Sequence, residues 1–164
     1  MASKKGIGVT IAILVGVVAA SFLVYLIPED TTMKIVVSDF EKYLDITKEK
    51  AMLESVGIDE SFEKLMEKKM SPNEYIGIAK VSSSQINSLI IELTDSGATQ
   101  EWGESYVNYI GALKKLNEKI TETIVVANLM NGDDSNSINE IIAKIHQLET
   151  ESLDLIKKSD NTRP

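Results

Sequence analysis

Between Gly6 and Ile27 the chain carries no charged side chain, although 26% of its 164 residues are Asp, Glu, Lys or Arg. Twenty-two residues in a helix would extend about 33 Å, enough to cross a hydrocarbon core of roughly 30 Å. A cleaved secretory signal has a shorter apolar region, of about 7–15 residues, closed by small residues. Ala19-Ala20-Ser21 has that character, but Phe22 to Ile27 carries the apolar run straight past it. The segment therefore reads as a retained transmembrane anchor at residues 6–27. Lys4 and Lys5 precede it and Glu29 and Asp30 follow it, which puts residues 1–5 in the cytoplasm and the rest outside.

Beyond the anchor lie all 25 acidic residues against 14 lysines and one arginine, a formal charge of −10. A surface of that sign repels nucleic acid and anionic headgroups, so nucleic acid is not an expected partner. There is no cysteine. Disulfides, thiolate metal sites and thiol nucleophiles are excluded together, and an exported domain must stand on its core alone. About 130 residues suffice for one such core.

Residues 28–158 read as an all-α, up-down antiparallel helical bundle. Met33, Val37, Phe40, Leu44, Thr47 and Ala51 recur at steps of four and three, marking a helix from Thr31 to Ser55. Gly57 is expected to break it, with a short segment carrying Phe62, Leu65, Met66 and Met70 beyond. Ser71-Pro72-Asn73-Glu74 is a strong start signal: a capping serine, a proline with no donor to waste, and a glutamate three residues on. That helix holds Tyr75, Ala79, Ile86, Leu89, Ile90 and Leu93, and ends at Ser96-Gly97. The longest helix runs from Thr99 to Asn131-Gly132, with Trp102, Tyr106, Tyr109, Leu113, Leu116, Ile120, Thr123 and Ala127 in four-three register. Ser137-x-x-Glu140 suggests a second capping box, opening a helix with Ile138, Ile141, Ile142, Ile145, Leu148, Ser152 and Ile156. Residues 159–164 read as a flexible polar tail. The expected core is Phe40, Leu44, Leu65, Ile86, Leu93, Trp102, Leu113, Leu116, Ile120, Ile141, Ile145 and Leu148.

Gly8, Ala12, Gly16 and Ala20 recur every four residues in the anchor, a smooth strip of the kind that lets two spans approach closely in lipid. They are the candidate site residues, and their expected partners are the bilayer and another transmembrane helix, in a homo-oligomer or a heteromeric membrane complex. His146 is the only histidine, and Ala143 stands where the Glu-x-x-His pattern of di-iron bundles needs glutamate. Met52, Met66 and Met70 fit core packing better than a copper site. The acidic loop at Asp133-Asp134 lacks the ligand register of a calcium loop. No nucleophile–base pair stands out, so no catalytic residue, metal or cofactor is assigned and the chain does not read as an enzyme.

Lys4-Lys5-Gly6-Ile7, followed at once by the apolar run, resembles the class III leader of archaeal pilins and archaellins. The resemblance implies cleavage after Gly6 and a role as a filament subunit. Archaellins continue into a β-sandwich, whereas everything after Pro28 here reads as helix. The lysine-flanked anchor with an acidic helical ectodomain is similar to uncharacterised single-span surface proteins of archaea. The favoured function is a non-enzymatic, membrane-anchored accessory or scaffold subunit of a membrane or cell-surface complex. The alternatives are an extracytoplasmic helical sensor that binds a small ligand, favoured by a polar cavity between Ser82–Ser84 and the aromatic stripe, or the pilin-like filament.

Overall fold

A computed structural model describes residues 37–130 and 135–164 of the chain. Among them are four helices and no strand: α1 (Phe40–Met66), α2 (Pro72–Asp95), α3 (Gln100–Met130) and α4 (Ser135–Asn161). None is long and apolar enough to cross a membrane. The expected cytoplasmic tail and anchor, with Gly8, Ala12, Gly16 and Ala20, lie outside the described residues, as does the acidic pair Asp133-Asp134.

Cross-links between the helices fix their directions. Lys50 reaches Glu92 (3.9 Å) and Phe62 meets Tyr75 (5.7 Å between ring centres), so α1 and α2 are antiparallel. Tyr75 donates to Thr123 at 2.6 Å and Asn117 to Asn87 at 3.1 Å, which runs α3 back along α2. Ser152 donates to the Ala112 carbonyl and Ser105 to the Ser159 carbonyl, which reverses the chain again into α4. The bundle is the up-down one that the helix lengths imply.

α3 is its axis. It packs against all three other helices, whereas no Cα of α1 comes within 8 Å of one of α4. Its buried residues accordingly span two adjacent stripes. Tyr106, Leu113, Ile120 and Ala127 form one; Ser105, Ala112, Lys119 and Val126 form the other. Small residues let α3 and α4 approach: Ser105 Oγ lies 2.8 Å from the Ser159 carbonyl oxygen, and Leu155 covers Gly111. A Cβ added at Gly111 would sit 3.4 Å from Leu155 Cδ1.

Nine of the twelve expected core residues are buried: Leu44, Leu65, Ile86, Leu93, Leu113, Leu116, Ile120, Ile145 and Leu148. Phe40, Trp102 and Ile141 are half-buried. Ser71 caps α2 as its sequence suggests, accepting from the Glu74 N–H at 3.3 Å, and Gly97 follows the helix with φ of +65°.

Three expectations about helix ends need correcting. α1 does not start at Thr31, because residues 37–39 are not helical and Asp39, in extended conformation, caps the helix by accepting from the Lys42 N–H at 2.9 Å. Nor does it break at Gly57, and Phe62, Leu65 and Met66 belong to it rather than to a separate segment. A helical glycine costs about 1 kcal/mol against alanine, while Ile58 and Leu65, buried in heptad step with Leu44 and Ala51, carry the packing through it. Met70, past the turn at Lys68 (φ 60°), is not on that helix. α4 opens at Ser135, two residues before the expected capping serine, so Ser137 lies inside the first turn rather than ahead of it.

The polar end is held rather than frayed. α4 runs to Asn161, Ser159 is fully buried, and Arg163 reaches Asp45 at 2.6 Å. Ser159 sits seven residues past Ser152, so it falls on the buried stripe despite its polarity.

Candidate functional site

Because α1 and α4 stand apart, a groove opens between them with α3 as its floor. Tyr109, Ala112, Leu113 and Leu116 form that floor. Ala51, Met52 and Ser55 line the α1 side, and Ser152, Leu153 and Ile156 the α4 side. Small residues, Ala112 and Ser152, hold α3 and α4 close on one flank. On the other, charged side chains reach across instead of apolar ones packing. The result is a cavity of about 370 Å³, within the roughly 300–1,000 Å³ typical of small-molecule pockets.

Ion pairs mark both ends. At one, Lys119 rises from α3 with its side chain only 6% exposed. Its Nζ meets Asp59 of α1 at 2.8 and 3.0 Å and Glu149 of α4 at 3.2 Å, so one cation joins three helices. Two carboxylates share it, leaving the cluster formally at −1. At the other end Lys48 of α1 pairs with Asp160 of α4, its Nζ 5.3 Å from the centre of the Tyr109 ring. Arg163 continues that end, bonded to Asp45 and 3.2 Å from Asp160. Here the charges balance.

Between the ends few polar groups remain free. The Ser152 hydroxyl is spent on the Ala112 carbonyl at 3.0 Å, and Ser55 leans toward Asp59 at 3.5 Å. Tyr109 differs. It is 2% exposed and lines the cavity, yet its hydroxyl makes no hydrogen bond among the described residues. The other two buried tyrosines of the bundle are satisfied: Tyr75 donates to Thr123, and Tyr106 to the Phe40 carbonyl at 2.8 Å. Burial raises the Tyr109 hydroxyl well above its ordinary pKa, and Asp160 adds to the shift, so it stays a protonated donor.

The residues singled out from sequence fall mostly elsewhere. Trp102 and Tyr106 stack edge to face at 6.4 Å, and of the aromatic stripe only Tyr109 reaches the groove. Ser82 is buried on the core stripe of α2 and does not line the groove, whose walls are apolar, so this cavity is not the polar one beside Ser82–Ser84 that would favour the sensor alternative. His146 is exposed, with Nδ1 3.8 Å from Glu149. Met52 is 68% exposed at the groove rim rather than core filler. Among the described residues no three His, Asp or Glu side chains converge as a metal site. Lys48 and Lys119 went unread. The signal for Lys119 was its place seven residues after Ala112 and seven before Val126.

Compared with protein-family models, curated proteins and solved structures, the chain matches none. The groove itself can bind and orient a molecule. It presents apolar walls, a Tyr109 hydroxyl with no hydrogen-bond partner among the described residues, and at its ends lysines already paired with carboxylates.

Proposed function

We propose that this chain is a non-enzymatic, membrane-anchored accessory subunit whose extracytoplasmic bundle captures a small apolar molecule in the α1–α4 groove. The observation that carries this reading is the cavity of about 370 Å³ with its apolar walls. Helical bundles place ligand sites between facing helices, and pockets of this size and lining are the usual sites of small molecules. The anchor rests on the uncharged run Gly6–Ile27. An association of its span with another rests on Gly8, Ala12, Gly16 and Ala20. In this arrangement the bundle captures the ligand and a partner associated through the span carries the consequence.

Photolabelling of the full chain in lipid nanodiscs tests the capture. A straight-chain probe bearing a diazirine should leave adducts on peptides containing Tyr109, Leu113, Leu116 and Leu153, in competition with unlabelled probe. Adducts confined to the 6–27 segment would mean partition into lipid alone and would end the reading.

A further inference from the structure

We infer, building on the ligand-binding reading, that the groove selects an elongated, uncharged molecule with one hydrogen-bond acceptor, received by the Tyr109 hydroxyl. The lining extends along α3 from Tyr109 to Lys119, which is about 15 Å of helix. A compact ligand would leave part of that apolar length in contact with water; a chain or extended ring system covers it.

The polar end of the ligand is set by what the groove leaves unsatisfied. Of the three buried tyrosines, Tyr75 and Tyr106 have hydroxyl partners at 2.6 and 2.8 Å. Tyr109 has none among the described residues, although it is 2% exposed. A protonated phenol in that position offers a donor to a carbonyl, ether or hydroxyl oxygen.

Charge is set by the two ends. Both lysines are already occupied. Lys119 holds Asp59 and Glu149 together, and a ligand carboxylate brought to it would have to displace one of them or add a third negative charge. Lys48 is committed to Asp160 and to the face of the Tyr109 ring. A ligand ammonium group would meet Lys48 at one end, and at the other only carboxylates already bonded to Lys119. Desolvating either kind of ion in the apolar middle is costly without a free counter-charge. The neutral head avoids both penalties.

Three diazirine probes of equal chain length test this on the full chain in nanodiscs: an alcohol, its carboxylate and its ammonium counterpart, with a plain hydrocarbon as reference. Labelling of groove peptides is titrated against probe concentration. The alcohol should saturate at a concentration about tenfold lower than either ion. Tyr109→Phe should weaken the alcohol by about 2- to 10-fold, the worth of one hydrogen bond, and leave the hydrocarbon unchanged. Glu149→Gln, at a half-exposed position, should narrow the gap by improving the carboxylate. Equal or tighter binding of an ion, or a Tyr109→Phe loss shared by alcohol and hydrocarbon, would overturn the inference while the groove remained a ligand site. Absence of groove labelling by all four probes would instead overturn the ligand-binding reading beneath it.

Discussion

Replacing Gly57 by Ala should stabilise the bundle, and the size of the gain follows from the geometry of α1. Gly57 lies inside a continuous helix from Phe40 to Met66, is exposed, and has nothing within 4 Å of an added Cβ. The steric cost is therefore nil. What changes is the conformational entropy that glycine surrenders on entering a helix, about 0.8–1.0 kcal/mol relative to alanine. In a domain of this size that gain raises the melting temperature by about 3–5 °C. Gly97, the contrasting position, has φ of +65°; Gly97→Ala should destabilise by about 1 kcal/mol, because a Cβ strains the left-handed conformation. Thermal melts of both variants followed by circular dichroism decide the matter. Destabilisation by Gly57→Ala would mean the chain turns at Gly57, and the account of α1 as one helix packed through Ile58 and Leu65 would fail.

Burial raises Tyr75 and Tyr106 to about 12, so above about pH 10 the unfolded chain releases protons that the native state keeps. The contribution of these tyrosines should be constant below that point and fall as pH rises from about 10 toward 12, with a smaller fall in Tyr75→Phe; melts across that range check it. Ile86 is fully enclosed whereas Leu116 borders the groove, so Ile86→Ala should cost about 3–5 kcal/mol and Leu116→Ala about 2 kcal/mol in urea unfolding. Removing the Arg163–Asp45 pair with Arg163→Ala should cost no more than about 1 kcal/mol, since Asp45 is 54% exposed. Intact mass of the purified chain tests the filament alternative, which requires loss of the first six residues; retention of Met1-to-Gly6 sequence would dismiss it.

Helix identity was legible because the four-three stripes are long: Tyr75 to Leu93 and Tyr106 to Ala127 each hold one face through several turns. The α2 start was legible because Ser71, Pro72 and Glu74 act through local backbone chemistry that needs no tertiary partner. Gly57 misled because its local cost is real but small beside the packing of its neighbours. The groove was invisible for a different reason. It exists where two helices fail to meet, and the apolar pattern of each helix reports burial without saying against which neighbour. Lys119 and Ser159 sit on buried stripes that apolarity alone does not trace, and Tyr109 looks in sequence like any other member of the aromatic stripe. Only the position of α3 between its three neighbours brings Lys48, Tyr109 and Lys119 to one cleft.

The cavity between α1 and α4 is the observation on which the functional account stands, and xenon probes it without assuming a ligand. Apolar cavities of sufficient size bind such small apolar probes in preference to water. A crystal pressurised with xenon should show the gas against Leu113 and Leu116, flanked by Ala51 on one side and Leu153 on the other, with Lys119 still joining Asp59 to Glu149. Close packing of α1 onto α4, with no xenon over α3, would contradict the account.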